Sequence, residues 1–319
     1  METEKKPLII LTGPTAVGKT DLSIALAKAV NGAVISADSM QVYRGMDIGS
    51  AKIMPEEQKG IPHHLIDVLD PDEEFHVVRF QEMAKEALQE IYEKKQIPII
   101  AGGTGFYIQA LLYDIDFTEQ DTDIAYRNKL SEFAAVNGNH ALHEKLKNID
   151  PVSYETIHEN NVKRVIRALE YYHNCSEPIS KHNDSERQKE SPYNFAYFVL
   201  NDERKRLYDR IDKRVDIMVE NGLVEEVKKL KNMGYTSDMV SMKGIGYKEI
   251  LSSLDGAYDI DEAVEKVKQE SRRFAKRQLT WFRREKETIW LEKEEYSYDD
   301  NKILSKIKEI LEEKRIIIC

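Results

Sequence analysis

The chain has 319 residues, 41% hydrophobic and 33% charged, with a formal net charge of −10. That is enough apolar material for one large domain, or a core with a smaller module, and no run approaches the roughly 18 consecutive apolar residues of a membrane-spanning helix. The acidic balance disfavours nucleic acid as a partner only on average, because local clusters of Lys and Arg survive it.

In chain order, METEKKPLIILTGPT passes directly into a strand-like run at 7–12 and lacks the small-residue cleavage site of a signal peptide. A cytoplasmic protein is expected. Apolar residues at 22, 25, 26 and 29 mark a helix, which Gly32 is expected to end. Strands are expected at 33–39, 65–69 and 97–103, with an amphipathic helix at 77–95. Strands alternating with helices predict an α/β fold, a parallel sheet with helices on both faces. From about 114 the pattern becomes helical through 173, with turns at 137–139 and 149–151, followed by a polar loop at 176–192. Strand character returns at 194–200. A helix of roughly 30 residues then runs from Asp202 to near Gly234, bent around Asn221-Gly222. A glycine-containing turn at 241–249, a helix at 261–286, a strand at 287–292 and a helix at 301–314 complete the chain. The expected division is 1–115 for the first part of the core, 116–194 for a helical insert and 195–319 for the return to the core. No internal repeat is present.

Gly13-Pro14-Thr15-Ala16-Val17-Gly18-Lys19-Thr20 matches GxxxxGK[ST] between a strand and a helix, as a phosphate-binding P-loop must. Backbone N–H groups and the helix N-terminus cradle a polyphosphate, Lys19 adds a point charge, and the Thr20 hydroxyl suits Mg²⁺. The motif specifies a diphosphate and leaves the reaction open. Two segments should arrive beside it at the carboxyl ends of strands: Asp38-Ser39-Met40-Gln41 and Gly102-Gly103-Thr104-Gly105. Asp38 suits a Mg²⁺ ligand, a helix cap or a general base, and Thr104 suits a phosphate donor. His63-His64 has no third ligand nearby, and the isolated Cys175 and Cys319 suggest neither a disulfide framework nor a zinc site. Arg206, Arg210 and Arg214 share one helix face, where intrahelical ion pairing is the usual explanation and leaving-group stabilisation the functional one. Segment 271–286 holds seven Arg or Lys against one acid, Glu285, interleaved with Phe274, Trp281 and Phe282. A second basic cluster lies near 163–170. Both suit solvated helix faces or phosphate contacts.

GPTAVGKT (13–20), ISADSMQVYRGMDIGSAK (35–52), PHHLIDV (62–68), AGGTGFYIQALL (101–112), NNVKRVIRALE (160–170), IDKRVDIMVENGLVEEV (211–227), GIGYKE (244–249) and KRQLTWFR (276–283) resemble, in order, the tRNA dimethylallyltransferases. Asn161 stands where that family more often has Asp. The resemblance implies a P-loop core with an inserted all-helical tRNA-binding domain. It implies transfer of a dimethylallyl group from dimethylallyl diphosphate to N6 of the adenosine 3′ of the anticodon. In that family's manner, the P-loop with Lys19, Thr20 and Mg²⁺ would hold the diphosphate. Asp38 would take the N6 proton, and Thr104 and Arg214 would help the diphosphate leave. Asp38, Ser39, Met40, Gln41, Thr104, Arg127, Lys163, Arg164 and Arg167 would meet the anticodon stem-loop. No membrane partner is expected, and a monomer is.

Three alternatives stand at this point. A small-molecule or nucleoside kinase would put ATP on the P-loop and need a second Mg²⁺ carboxylate, with Asp67 or Asp70 as candidates. An NTP-driven RNA-binding protein would need a nucleotide switch. An adenylate isopentenyltransferase would need no basic insert.

Overall fold

The computed structural model describes residues 5–117 and 123–317; Cys319 and part of the stretch joining core to insert lie outside them. In chain order the elements are β1 (Lys6–Thr12), α1 (Lys19–Val30), β2 (Gly32–Ala37), β3 (His63–His64), α2 (Val77–Glu93), β4 (Ile97–Gly102) and α3 (Gly105–Leu112). There follow α4 (Ile124–Asn137), α5 (Asn139–Glu144), α6 (Pro151–Thr156), α7 (Val162–Cys175) and α8 (Ile179–Arg187). β5 (Tyr193–Asn201), α9 (Arg204–Glu220), α10 (Leu223–Asn232), α11 (Tyr247–Leu254), α12 (Ile260–Phe282), β6 (Thr288–Glu292) and α13 (Asp300–Glu313) complete the order.

The six strands form one parallel sheet in the order β3-β2-β4-β1-β5-β6. Its central strands read as near-continuous apolar runs because helices cover both faces. Leu8, Ile9, Ile10 and Leu11 of β1 are fully buried. Leu22 and Leu26 of α1, Leu207 and Ile211 of α9, Ala275 of α12 and Ile303 and Ile307 of α13 belong to the same core. The chain forms two compact units. One joins the residues up to Leu112 with those from Pro192 onward; the other spans Tyr113–Ser191.

Four expectations change on the structure. The helix at 20–30 ends at Asn31, itself left-handed at φ 50°, while Gly32 begins β2. A Cβ on Gly32 would sit 2.8 Å from the Ile97 carbonyl oxygen, so the glycine serves strand packing rather than capping. The strand expected at 65–69 is reduced to His63–His64, because Leu65 and Asp67 take positive φ and turn the chain out of the sheet. The long helix after Asp202 is two helices, α9 and α10, broken where Gly222 adopts φ 100°. The polar stretch at 176–192 contains α8, which Asp150 holds in place.

Asp150 organises the second unit. Its carboxylate accepts from the Ser153 N–H at 3.0 Å and hydroxyl at 2.7 Å, capping α6, and from the Ser180 N–H at 3.0 Å and hydroxyl at 2.6 Å, fastening α8. Burial pushes this carboxyl up, but the serine bonds outweigh it and hold Asp150 below the ordinary range. A depressed folded value stabilises above the unfolded value of 3.8, and that contribution is lost as pH falls through the folded one. Asp150→Ala leaves buried donors unpaired and is expected to cost about 3 kcal/mol. An earlier thermal transition of this unit, followed by circular dichroism, is the check. The unit's own core gathers Leu130, Leu142, Val165 and Leu169.

Candidate active site

Register places the chemistry. Thr12 of β1 and Ala37 of β2 both pair with Gly102 of β4, so three strands end at one level. The segments that leave them, 13–20, 38–41 and 103–105, therefore emerge side by side at the carboxyl edge of the sheet. Two bonds brace that edge: Thr12 Oγ1 donates to the Gly102 carbonyl at 2.7 Å, and the Thr104 N–H donates to the Ala37 carbonyl at 3.1 Å.

Gly13, Pro14 and Val17 are buried, Thr15, Ala16, Gly18 and Lys19 half-buried, and Thr20 exposed. Gly18 precedes α1 and has no side chain to cap it, so the first-turn N–H groups remain available to an anion. Lys19 Nζ donates to the carbonyls of Gly13 at 3.0 Å and Pro14 at 2.7 Å. Burial, reinforced by the Arg214 guanidinium and opposed by Asp38, brings the Lys19 ammonium down to about 7. Arg214 is lowered by burial, with Asp38 opposing and Arg210 adding to the shift. Lys19, Arg214 and Asp38 thus form one electrostatic cluster whose two cations are partly withdrawn from water. An anionic ligand offsets that cost.

No helix directly follows Asp38 for it to cap; it anchors a turn instead and is the candidate base. Its Oδ1 accepts from the Met40 N–H at 2.8 Å and the Gln41 N–H at 3.3 Å, fixing the turn, and neither bond uses Oδ2. Ser39 is half-buried. Met40 packs against Gly244, where an added Cβ would lie 2.5 Å from the Met40 methyl. The Gln41 side chain is held by the Ser36 hydroxyl and the Ala51 carbonyl, which tie it into the core.

The arginine stripe of α9 divides into separate roles. Arg206 pairs with Asp202 at 3.4 Å and lies over the Tyr298 ring. Arg210 Nε donates to the Ala16 carbonyl at 2.8 Å, bracing the P-loop from outside. Arg214 is the arginine of the stripe whose charge acts on Lys19.

Two positions escape a reading of sequence. Glu226 of α10 accepts from the N–H groups of Asp47, Ile48 and Gly49 and from the Tyr247 hydroxyl, fastening the 47–49 loop to the C-terminal helices. Nothing in the local sequence marks it among neighbouring acids. Gln278 of α12 accepts from the Thr15 N–H at 2.9 Å and donates to the Gly103 carbonyl at 3.0 Å. Its signal was available: an uncharged polar residue on the buried stripe of Ala275 and Phe282. Beside it, a Cβ on Gly105 would lie 2.2 Å from Trp281, so α12 presses directly on the Thr104 turn.

The basic segments are helix faces. Arg273, Lys276, Arg277, Thr280, Trp281 and Arg284 line an open groove on α12. Glu285, the only acid in that run, is pushed up to about 7 by burial, so near neutral pH it carries only part of a negative charge. Arg272 pairs with Asp212, and Phe282 is core. In the second unit, Lys163, Arg164 and Arg167 are exposed on α7, opposite buried Val165 and Leu169. Cations in a first turn oppose the helix dipole, an arrangement that a bound polyanion would reward. Arg127 is half exposed and pairs with Glu170 at 2.7 Å. His63 Nδ1 lies 2.8 Å from the Ile61 carbonyl, and no cluster of His, Cys, Asp or Glu suited to a metal occurs among the described residues. No helix among them is long and apolar enough to cross a membrane.

Comparison with known proteins identifies the relatives of this chain. The family model described as IPP transferase matches residues 41–285. A tRNA dimethylallyltransferase of Lachnoclostridium phytofermentans is 59% identical over 312 residues, covering 98% of this chain and 99% of the relative. The full-length tRNA isopentenylpyrophosphate transferase of Bacillus halodurans superposes with a TM-score of 0.74 at 46% identity, covering 98% of each chain. A eukaryotic dimethylallyltransferase described as acting on tRNA superposes with a TM-score of 0.78 at 30% identity, covering 90% of this chain and 74% of that one. With the P-loop, the Asp38 turn and the Thr104 turn on one edge of a parallel sheet, the chain belongs to the IPP transferase family, that of the tRNA dimethylallyltransferases.

Proposed function

We propose that this chain transfers a dimethylallyl group from dimethylallyl diphosphate to N6 of the adenosine 3′ of the anticodon in tRNA, releasing diphosphate. The observation that carries the reading is the shared register of β1, β2 and β4, which sets a phosphate loop, a carboxylate and a threonine turn side by side.

The P-loop N–H groups, Lys19, Thr104 and Arg214 hold the diphosphate and take up charge as it departs. An exocyclic adenine amine is a poor nucleophile because the ring delocalises its lone pair. Asp38 Oδ2 accepts the N6 proton as the carbon–nitrogen bond forms, while Oδ1 keeps the turn fixed. The allylic carbon tolerates partial positive charge, so the larger electrostatic demand is the leaving diphosphate, which the cations meet. The target base must leave its stack, at a cost of about a few kcal/mol that backbone contacts offset.

Mg²⁺ fits here as an ion carried by the diphosphate. The exposed Thr20 hydroxyl offers one oxygen, and a hard cation that keeps its waters needs no protein cage. When bound, it would neutralise diphosphate charge.

For RNA, each unit carries a basic helix face, on α12 and on α7. Changing Lys163, Arg164 and Arg167 together to Ala is expected to weaken tRNA binding about tenfold or more and to flatten its salt slope by about 2. Filter binding across a salt series reads both. Asp67 and Asp70, the candidate second carboxylates of the kinase alternative, are each already paired with a cation, Lys52 at 2.5 Å and Arg44 at 3.1 Å, which disfavours that alternative. The basic α7 face favours polymeric RNA over free adenylate.

The direct test mixes protein, Mg²⁺ and labelled dimethylallyl diphosphate with unmodified tRNA, and with AMP in parallel. Label in tRNA alone is expected; label in AMP, or in neither, contradicts the proposal.

A further inference from the structure

We propose that Gln278 is the positioning residue that sets the phosphate loop against the Thr104 turn and so aims the donor at Asp38; this rests on the prenyl-transfer reading above. Gln278 lies on the buried stripe of α12, 6% exposed, where a leucine would pack at no polar cost. Both ends of its amide are spent on segments that carry the chemistry.

One end orients a peptide plane. Gln278 Oε1 accepts from the Thr15 N–H at 2.9 Å, and the carbonyl of the same peptide, that of Pro14, accepts from Lys19 Nζ at 2.7 Å. Holding the N–H therefore fixes the direction in which the Pro14 carbonyl meets the Lys19 ammonium. It also withdraws one loop N–H from the set available to an anion, which makes the remaining donors a defined set. The other end reaches the turn beside the base. Gln278 Nε2 donates to the Gly103 carbonyl at 3.0 Å, the next residue is Thr104, and its N–H donates to the carbonyl of Ala37, which precedes Asp38. A continuous path of bonds thus joins Lys19, Gln278, Thr104 and the residue before Asp38.

The strand ends do not need this path. β1 and β4 are paired from Ile9 with Ile99 to Thr12 with Gly102 and tied again by Thr12 to Gly102. What Gln278 adds is the spacing of the two loops beyond them. The contact is close: a Cβ on Gly103 would fall 2.0 Å from Gln278 Nε2, so any side chain there would displace the amide.

Two variants test the assignment. Gln278→Met keeps the length of the side chain and removes both bonds. Gln278→Glu keeps the acceptor for Thr15 and regains a donor for Gly103 only when protonated. For Gln278→Met, kcat is expected to fall about 100-fold, as displacement of reacting groups by about 1 Å does. Its affinity for inorganic diphosphate should fall about tenfold, with the KM for tRNA within about twofold and the melting temperature lower by about a few degrees, because the Thr15 N–H and the Gly103 carbonyl lose their partner. For Gln278→Glu, kcat relative to wild type should recover as pH is lowered toward about 6, because burial raises a carboxyl's pKa and the neutral acid restores the second bond. Wild-type kcat and diphosphate affinity in Gln278→Met, or a deficit in Gln278→Glu that is flat with pH, overturns the proposal. Should the wild type transfer no prenyl group, the reaction reading fails, and the diphosphate titrations alone still decide the role of Gln278.

Discussion

Asp38→Asn is expected to lower kcat about 10²–10⁴-fold, the range for loss of a positioned general base, while tRNA binding stays within about twofold. The amide suits the comparison because its oxygen still accepts from Met40 and Gln41, so the turn that carries it survives. What disappears is a group able to take the N6 proton. Asp38→Ala removes the turn anchor as well and should cost more, and the difference between the two variants separates scaffold from chemistry. Inorganic diphosphate should bind Asp38→Asn no more weakly than wild type, since the nearest negative charge to Lys19 and Arg214 has gone. Single-turnover rates with saturating substrates read the loss, and a variant that turns over normally would end the assignment of Asp38 as the base.

Lys19→Met is expected to cost about 10²–10³-fold in kcat, as loss of one leaving-group donor does, with a pH signature. The ammonium sits down at about 7 through burial and the neighbouring Arg214. A bound diphosphate favours the charged form and raises that value. Below pH 7 the lysine is already protonated and binding takes up no proton there. Above pH 7 the lysine must first gain a proton, so affinity falls as pH rises, by at most about tenfold per unit. Calorimetry at about pH 8.5 in buffers of different ionisation enthalpy should show uptake of about one proton by Lys19 on binding inorganic diphosphate. The same titration with Lys19→Met subtracts the ligand's own protonation. Equal uptake in both proteins would mean that Lys19 does not carry the linkage.

Much of this site is legible before any coordinates, because its signals are local. GPTAVGKT between an apolar run and a helical period needs no tertiary context, and Asp38 and Thr104 follow apolar strands that must end beside it. Segments marked by glycine punctuation or strong periodicity, such as α2 and α12, are legible for the same reason. The misses are positions where distant partners decide. Residues 65–69 are an apolar run interrupted only by Asp67 and read as a strand, yet the positive φ of Leu65 and Asp67 and the pairing of Asp67 with buried Lys52 take the chain out of the sheet. Residues 179–187 are polar enough for a loop, and become α8 with Ser180 fastened to Asp150, 30 positions earlier. Gln278 and Glu226 act on loops more than 170 residues away in sequence, so no local pattern could assign their bonds. Arg206, Arg210 and Arg214 look equivalent in sequence, and only packing gives them different partners.

The central claim is that the P-loop of this chain serves an allylic diphosphate and delivers its prenyl group to RNA. The most direct measurement incubates the protein with Mg²⁺, dimethylallyl diphosphate and an anticodon stem-loop RNA, without ATP, then digests the RNA and weighs its nucleosides. The predicted result is one adenosine, that immediately 3′ of the anticodon, heavier by a single five-carbon prenyl unit. Unmodified RNA under these conditions, or a prenyl group on a different nucleotide, would contradict the claim.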